Sequence, residues 1–289
     1  MRCSEPAGEI VFAGLMPHAP VLIPEIGCGR EREAASTVAA MRALAAGLIK
    51  LEPELLTVVS PHSPRRPSPF GIWQTQRIAG DFTRFRAPNV GVDLPNDHRF
   101  NRELTTNAHR DHLATWDITE PGLDHGACVP LWFLCEAGWT GATSVVGLNH
   151  PGQGGHQALG DAIRATVAQT NQRTAVIASG DMSHALQAGS PAGFHPLAAS
   201  FDRSVVEVIC SGHYRLLQAI DPELQRAAAE DVVDSTLIAA AAVEWRNDGH
   251  EFLTYEGPFG VGYSVAVLYQ QSVHEPEHAR QHDIATPRT

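Results

Sequence analysis

The amino-acid sequence predicts an α/β fold, a single domain with a central, mostly buried sheet flanked by helices on both faces. Short apolar runs rich in β-branched residues, such as Leu55–Val59 and Thr174–Ala178, suit strands buried on both sides. Longer segments with helical apolar spacing alternate with them along the chain. Several of the runs end in a Pro, Gly or Ser turn carrying a histidine. In open α/β sheets that carboxyl end of the strands is where ligands bind.

In chain order, residues 1–8 read as a flexible leader and residues 9–271 as the folded domain. Ile10 to Leu15 is a buried strand that ends in Met16-Pro17-His18-Ala19-Pro20. A helix is expected from about Arg30 to Leu51, with Val38, Met41, Ala45, Leu48 and Ile49 on one face and Pro53 ending it. The strand Leu55–Val59 stops at Ser60-Pro61, because proline brings no N–H to a ladder, and His62-Ser63-Pro64 follows. Residues 65–97 suggest short strands or an irregular excursion, and a helix is expected over Arg99–His112. The turn Gly122-Leu123-Asp124-His125-Gly126 leads into an apolar helix with Pro130 in its first turn.

Ala142 to Leu148 is a strand, and Gly155 to Gln169 a helix. The strand Thr174–Ala178 ends in Ser179-Gly180-Asp181-Met182-Ser183-His184. Helices are expected at about 197–211, 213–220 and 229–247, and strands at Glu251–Tyr255 and Gly262–Tyr269. The stretch 272–289 has no apolar period and reads as a disordered tail. No internal repeat or interior linker divides the chain.

The composition is that of a globular protein, and the net charge of -11 argues against a general nucleic-acid or anionic-membrane surface. Five scattered cysteines (Cys3, Cys28, Cys128, Cys135, Cys210), with no C-x-x-C pair, point to thiols in a reducing cytoplasm rather than a disulfide framework. No apolar run approaches the ~18 residues of a membrane span, and the chain does not open on a signal-peptide pattern.

The 15 histidines are the unusual feature. His18, His62 and His184 follow strands and His125 sits in a glycine-flanked turn, so one sheet would gather them at one rim. Divalent iron commonly takes two neutral imidazoles and one carboxylate, leaving positions open for substrate and oxygen. Glu230, opening an apolar helix, is the leading carboxylate, with Asp231 and Asp234 as alternatives.

These pieces, in this order, resemble the class III extradiol dioxygenase family, which includes the catalytic subunit of protocatechuate 4,5-dioxygenase, and its Memo-like relatives. The resemblance spans roughly residues 10–270. It implies Fe(II) held by His18, His62 and Glu230, His184 as acid/base, and His125 close to substrate or oxygen. The implied activity is extradiol cleavage of a catechol or 2-aminophenol with O₂. The rivals are a Memo-like binding protein and a zinc hydrolase using Zn(II) in the same ligand set. A homodimer is the default assembly, and the need for a small subunit stays open.

Some residues have blander readings. Asp181 and Asp124 either orient an imidazole or cap loops. Arg65-Arg66 is read as a solvated pair, with substrate carboxylate binding as the alternative. His150, His156 and His195 are expected in loops or caps, Cys128 as a packed thiol, and His274, His278 and His282 in the tail.

Overall fold

The computed structural model describes residues 8–272, so the leader and nearly all of the tail, with Cys3, His274, His278 and His282, lie outside the described residues. The elements run β1 (Glu9–Met16), α1 (Pro24–Gly27), α2 (Ala35–Ile49), β2 (Leu55–Ser60), β3 (Phe70–Trp73), β4 (Arg77–Phe82), β5 (Ala87–Pro95) and α3 (His98–Arg110). They continue as β6 (Thr115–Ile118), α4 (His125–Glu136), β7 (Ala142–Gly147), α5 (His156–Thr170), β8 (Arg173–Ser179), α6 (Ala198–Ser211), α7 (Pro222–Ala228), α8 (Val232–Ala242), β9 (Glu251–Glu256) and β10 (Tyr263–Gln270). The expected α/β architecture is present, with boundaries shifted by a few residues.

Eight strands form one mixed sheet in the order β6-β3-β7-β2-β8-β1-β10-β9, while β4 and β5 form a separate antiparallel hairpin. The centre, β7-β2-β8-β1, is parallel. Its strands are buried on both faces, which explains their continuous apolar runs. In β2, Leu56 and Val58 pack into the core beneath α2 and α4, while Leu55 and Val59 pack into the core on the other face, under α5 and α8. Alternation in the pleat splits one short sequence between two cores.

Register then decides where the chemistry falls. Met16 pairs with Ser179, Val59 with Ala178, and Ser60 with Gly147, so β1, β2, β7 and β8 all end at one rim. Every loop expected to carry a functional histidine after a strand leaves from that rim.

Three details differ from the expectations. The helix anticipated from Arg30 begins as a 3₁₀ turn, Arg30–Ala34, and becomes α-helical only at Ala35. Residues 65–97 are ordered as β3 plus the β4–β5 hairpin, and β6, with the unremarkable sequence TWDI, pairs with β3 at the sheet edge. The helix expected over 229–247 is shorter, because Glu230 and Asp231 lie outside α8. Among the described residues no helix is long and apolar enough to cross a membrane.

Helices α5 and α8 approach closely at Gly160, where an added Cβ would lie 2.6 Å from the Ala241 Cβ and 2.6 Å from the Ile238 carbonyl oxygen. Gly160→Ala is therefore expected to destabilise the protein by about 1–3 kcal/mol through overpacking, although alanine is the better helix former by ~1 kcal/mol. Urea denaturation measures this, and a raised midpoint would contradict the close packing.

Candidate metal centre

His18 is carried into the rim by the loop after β1 and is almost wholly buried. Its main-chain N–H donates to Asp181 Oδ1 (2.8 Å), which ties the β1 loop to the β8 loop. Its ring Nδ1 lies 3.0 Å from Ser179 Oγ, whose own hydroxyl donates to the Gly126 carbonyl. With its proton committed there, Ser179 can only accept from His18, so Nδ1 carries the hydrogen and Nε2 the lone pair. A metal-ligating imidazole needs that tautomer.

His62 leaves the end of β2 and presents its Nε2 2.9 Å from His18 Nε2. Asp231 completes the group, with Oδ2 3.4 Å from His18 Nε2 and 3.2 Å from His62 Nε2. Its other oxygen accepts from the Asp181 main-chain N–H (2.7 Å). Two imidazole nitrogens and one carboxylate oxygen thus converge at the rim.

The structure does not bring Glu230, the expected carboxylate, to this group. Glu230 turns back onto the start of α8, where Oε2 accepts from Val232 N (2.7 Å) and Val233 N (2.9 Å). The first N–H groups of a helix lack intrahelical partners, and a carboxylate satisfies two of them here. With Glu230 capping, Asp231 makes no capping bond of its own and its side chain faces the histidines. Asp234, the other alternative, lies 3.4 Å from His156 Nε2 instead.

The electrostatics follow from burial and from these partners. Burial opposes charging His18, yet Asp181 and Asp231 outweigh it and raise the ring to about 9. Burial would raise Asp231, but His18 and His62 hold it well below the carboxylate range. Burial pushes Glu230 up to about 8, against the pull of its two backbone N–H bonds. A divalent cation suits this donor set. Donors in neighbouring positions on one ion, each about 2.1 Å from it, lie about 3 Å apart. The three observed separations have that spacing, and a cation bound there would take the place of the proton that the raised His18 ring otherwise holds on Nε2.

His125 stands next to the group. As the first residue of α4 it stacks on His62, with ring centroids 4.2 Å apart and planes at 28°. Burial and the neighbouring imidazoles push it down to about 3, so it is a neutral hydrogen-bonding ring. Its approach is set by Asp124, which accepts from Ser63 (2.7 Å), from Ser60 and from Ala127 N (3.1 Å). Gly126 has to be small there, since a Cβ would meet Ser60 Oγ at 2.7 Å.

His184 lies beyond Asp181, with Nε2 4.0 Å from Asp181 Oδ2. Its Nδ1 sits 2.8 Å from the Ala229 carbonyl oxygen, which can only accept. Nδ1 therefore bears a hydrogen, and Nε2 is the nitrogen turned toward Asp181.

The family model for the catalytic LigB subunit of aromatic ring-opening dioxygenase matches residues 13–266. The chain belongs to this LigB family. A curated protein of Clostridium acetobutylicum, Protein CA_C1420, is 29% identical over 269 residues, covering 88% of this chain and 56% of that protein. The chain thus spans about half the length of the curated relative it matches. The crystal structure of an uncharacterized Escherichia coli K12 protein, JW3007, superposes with a TM-score of 0.60 at 14% identity. It covers 89% of this chain and 98% of its own, and shares the fold.

Two cavities flank the LigB-family centre. One, of about 940 Å³, opens on His62 and His125 and is walled by Trp73, Arg84, Phe85 and Leu123. The other, of about 700 Å³, reaches Asp231 and includes Arg65, Glu230, His156 and Asp234. His156, expected to be a loop or capping residue, therefore lines a cavity, whereas His150 is exposed and His195 accepts from Leu197 N in a turn. Arg65 spends its donors on the Pro61 and Asn149 carbonyls, and Arg66 lies 4.0 Å over the Trp116 ring. Cys128 is buried, as expected.

Ser179, Arg84 and Phe85 had no signal in the sequence. A serine in a turn looks like a turn former, and an exposed Arg-Phe pair like ordinary surface.

The two neighbouring acids should separate cleanly. Asp231→Asn is expected to weaken divalent-metal binding at least tenfold, since one donor loses its charge and His18 and His62 their anionic partner, whereas Glu230→Gln retains it; metal titration with dialysis decides. Glu230 also sets a pH test. Its folded pKa lies above the unfolded value, so the stability tied to its proton is present at low pH and lost as pH rises from 4.5 through about 8. Glu230→Gln should therefore gain on the wild type in melting temperature between pH 5 and about 8.

Proposed function

We propose that the protein is a non-haem Fe(II)-dependent extradiol dioxygenase that opens the ring of a catechol-type or 2-aminophenol-type aromatic with O₂. The observation that carries this reading is the convergence of His18 Nε2, His62 Nε2 and Asp231 Oδ2 at a rim that opens on a large cavity. Membership of the LigB family supports the same chemistry.

His18, His62 and Asp231 would hold the iron, which when bound brings substrate and O₂ together and lets the electron-rich ring share charge with oxygen. The protein's residues supply the rest. His184, held through Nδ1 by the Ala229 carbonyl, takes at Nε2 the proton from the second hydroxyl or amino group and returns it later. Asp181 lies between His184 and His18, 4.0 and 3.9 Å from their respective Nε2 atoms, and steadies the positive charge that His184 gains with the proton. His125, neutral and stacked on His62, lines the adjoining cavity and would donate a hydrogen bond to an oxygen of the substrate or of O₂ bound there. Trp73 and Phe85 give the cavity beside His62 and His125 aromatic walls against which a substrate ring could rest.

Oxygen uptake by the anaerobically iron-loaded protein, measured over a panel of catechols and 2-aminophenols, tests the reading. Stoichiometric uptake with a yellow ring-opened product is expected. Metal binding with no uptake on any member would instead favour a Memo-like binding role. His184→Phe should keep its iron while single-turnover ring opening slows by roughly 10²–10⁴-fold. Loss of iron in step with activity would make His184 a ligand.

A further inference from the structure

The loop after β8 carries His184, and successive backbone N–H groups pin it in place. Met182 N donates to the Gly262 carbonyl (2.8 Å), His184 N to the Ala228 carbonyl (2.8 Å), and Ala185 N to Ser183 Oγ (3.0 Å). Ser183 Oγ in turn donates to the Ala228 carbonyl (3.1 Å). The remaining donor is met differently. Ser183 N, the amide next to His184, donates to a carboxylate, Asp202 Oδ1 on α6, at 2.8 Å.

Asp202 is 1% exposed, and among the described residues no arginine or lysine pairs with it. Its other oxygen, Oδ2, accepts from the Tyr255 hydroxyl of β9 (2.6 Å). Burial pushes the carboxyl up from its ordinary value, while the bonds from Tyr255 and Ser183 and the nearby His184 ring pull against this. The backbone leaves room for it as well. At Gly262, just before β10, an added Cβ would run into Asp202 Oδ2 and lie 2.7 Å from the Met182 Cβ.

A buried carboxylate without a cation is costly, and a main-chain carbonyl or a hydroxyl would meet the same N–H without that cost. What the carboxylate adds is a stronger and more directional bond, since hydrogen bonds to an ionised acceptor are roughly twice as strong as neutral ones. With one oxygen on Ser183 and the other on Tyr255, Asp202 joins α6 and β9 to the amide beside His184. Asp181, three residues before His184, is tied instead to the His18 amide and to Asp231. The loop is thus held by one acid on the metal side and by a second on the far side, and no step of the proposed chemistry uses the second directly.

We infer that Asp202, oriented by Tyr255, is the positioning residue for His184: it holds the ring on the Ala229 carbonyl with Nε2 turned toward Asp181, so that proton transfer depends on a carboxylate outside the metal centre. The inference rests on the ring-opening reading for the proton that His184 moves. Asp202 sets a distance and a direction, and a misplacement of about 1 Å at a reacting group can cost roughly 10²-fold in rate.

Asp202→Ala and Asp202→Asn are compared on the full chain loaded with iron. Asparagine keeps the shape, its amide oxygen accepting from Ser183 N and its amide nitrogen donating to the Tyr255 oxygen. Asp202→Ala is expected to lose roughly tenfold to 10²-fold in kcat, with KM and iron content unchanged. Asp202→Asn recovers part of the loss, because the shape returns without the charge. General damage to the fold would lower iron content and raise KM as well. Where alanine prevents folding, Tyr255→Phe, which frees one carboxylate oxygen and keeps the Ser183 bond, is expected to lose severalfold in kcat alone.

A second readout needs no turnover. In NMR spectra of the full chain loaded with diamagnetic Zn(II) and isotope-labelled histidine, His184 is assigned by its absence in His184→Gln. Its Nδ1–H signal is expected to be protected from exchange by the Ala229 carbonyl, lost in Asp202→Ala and kept in Asp202→Asn. An unchanged kcat in Asp202→Ala, or a loss carried by KM or by iron content, overturns the inference. If no catechol or aminophenol is opened, the ring-opening reading fails and the NMR signal alone decides. Its loss in Asp202→Ala sustains the positioning role, and its persistence removes it.

Discussion

Two imidazole nitrogens and a carboxylate oxygen are held about 3 Å apart, one of the imidazoles almost wholly buried, and much of the rim is arranged to make that tolerable. Like-facing lone pairs at that distance need a cation between them or a proton shared among them. Asp181 and Asp231 supply the negative charge that keeps either occupant in place. Burial, with the neighbouring His62 and His18 rings, holds His125 neutral against the pull of Asp231. Removing one member would leave buried His18 or Asp231 without its partner, so the cluster acts as a unit.

The sheet is what brings the cluster together. Parallel pairing of β1, β8, β2 and β7 in matched register ends four strands at one level, and each loop departs from there. Hydrogen bonds between loops then fix the rim. His18 N to Asp181, Asp181 N to Asp231, and Ser179 Oγ to the Gly126 carbonyl join segments that are far apart in sequence. A precise site is thereby built from loops, because each loop is short and anchored to the next.

Much of this was legible in the sequence. Continuous β-branched runs ending in Pro-His or Ser-Gly turns carry the parallel centre and the approximate places of His18, His62, His125 and His184. What was not legible has physical causes. Glu230 and Asp231 are adjacent acids before one helix, and which caps and which faces inward depends on the backbone angle at Asp231, φ −143°, not on residue type. Strand β6 gains its identity from pairing at an edge rather than from its own pattern. The hairpin carrying Arg84 and Phe85 has exposed, mixed-polarity strands, and only tertiary placement sets its turn against His125.

The account stands on His18, His62 and Asp231 sharing one ion. Anomalous diffraction from crystals loaded anaerobically with Fe(II) measures this directly. The expected result is a single peak in contact with His18 Nε2, His62 Nε2 and an Asp231 carboxylate oxygen, with the side toward His125 left free of protein ligands. A peak coordinated by Glu230, or one between His156 and Asp234 with none at the histidine pair, would contradict it.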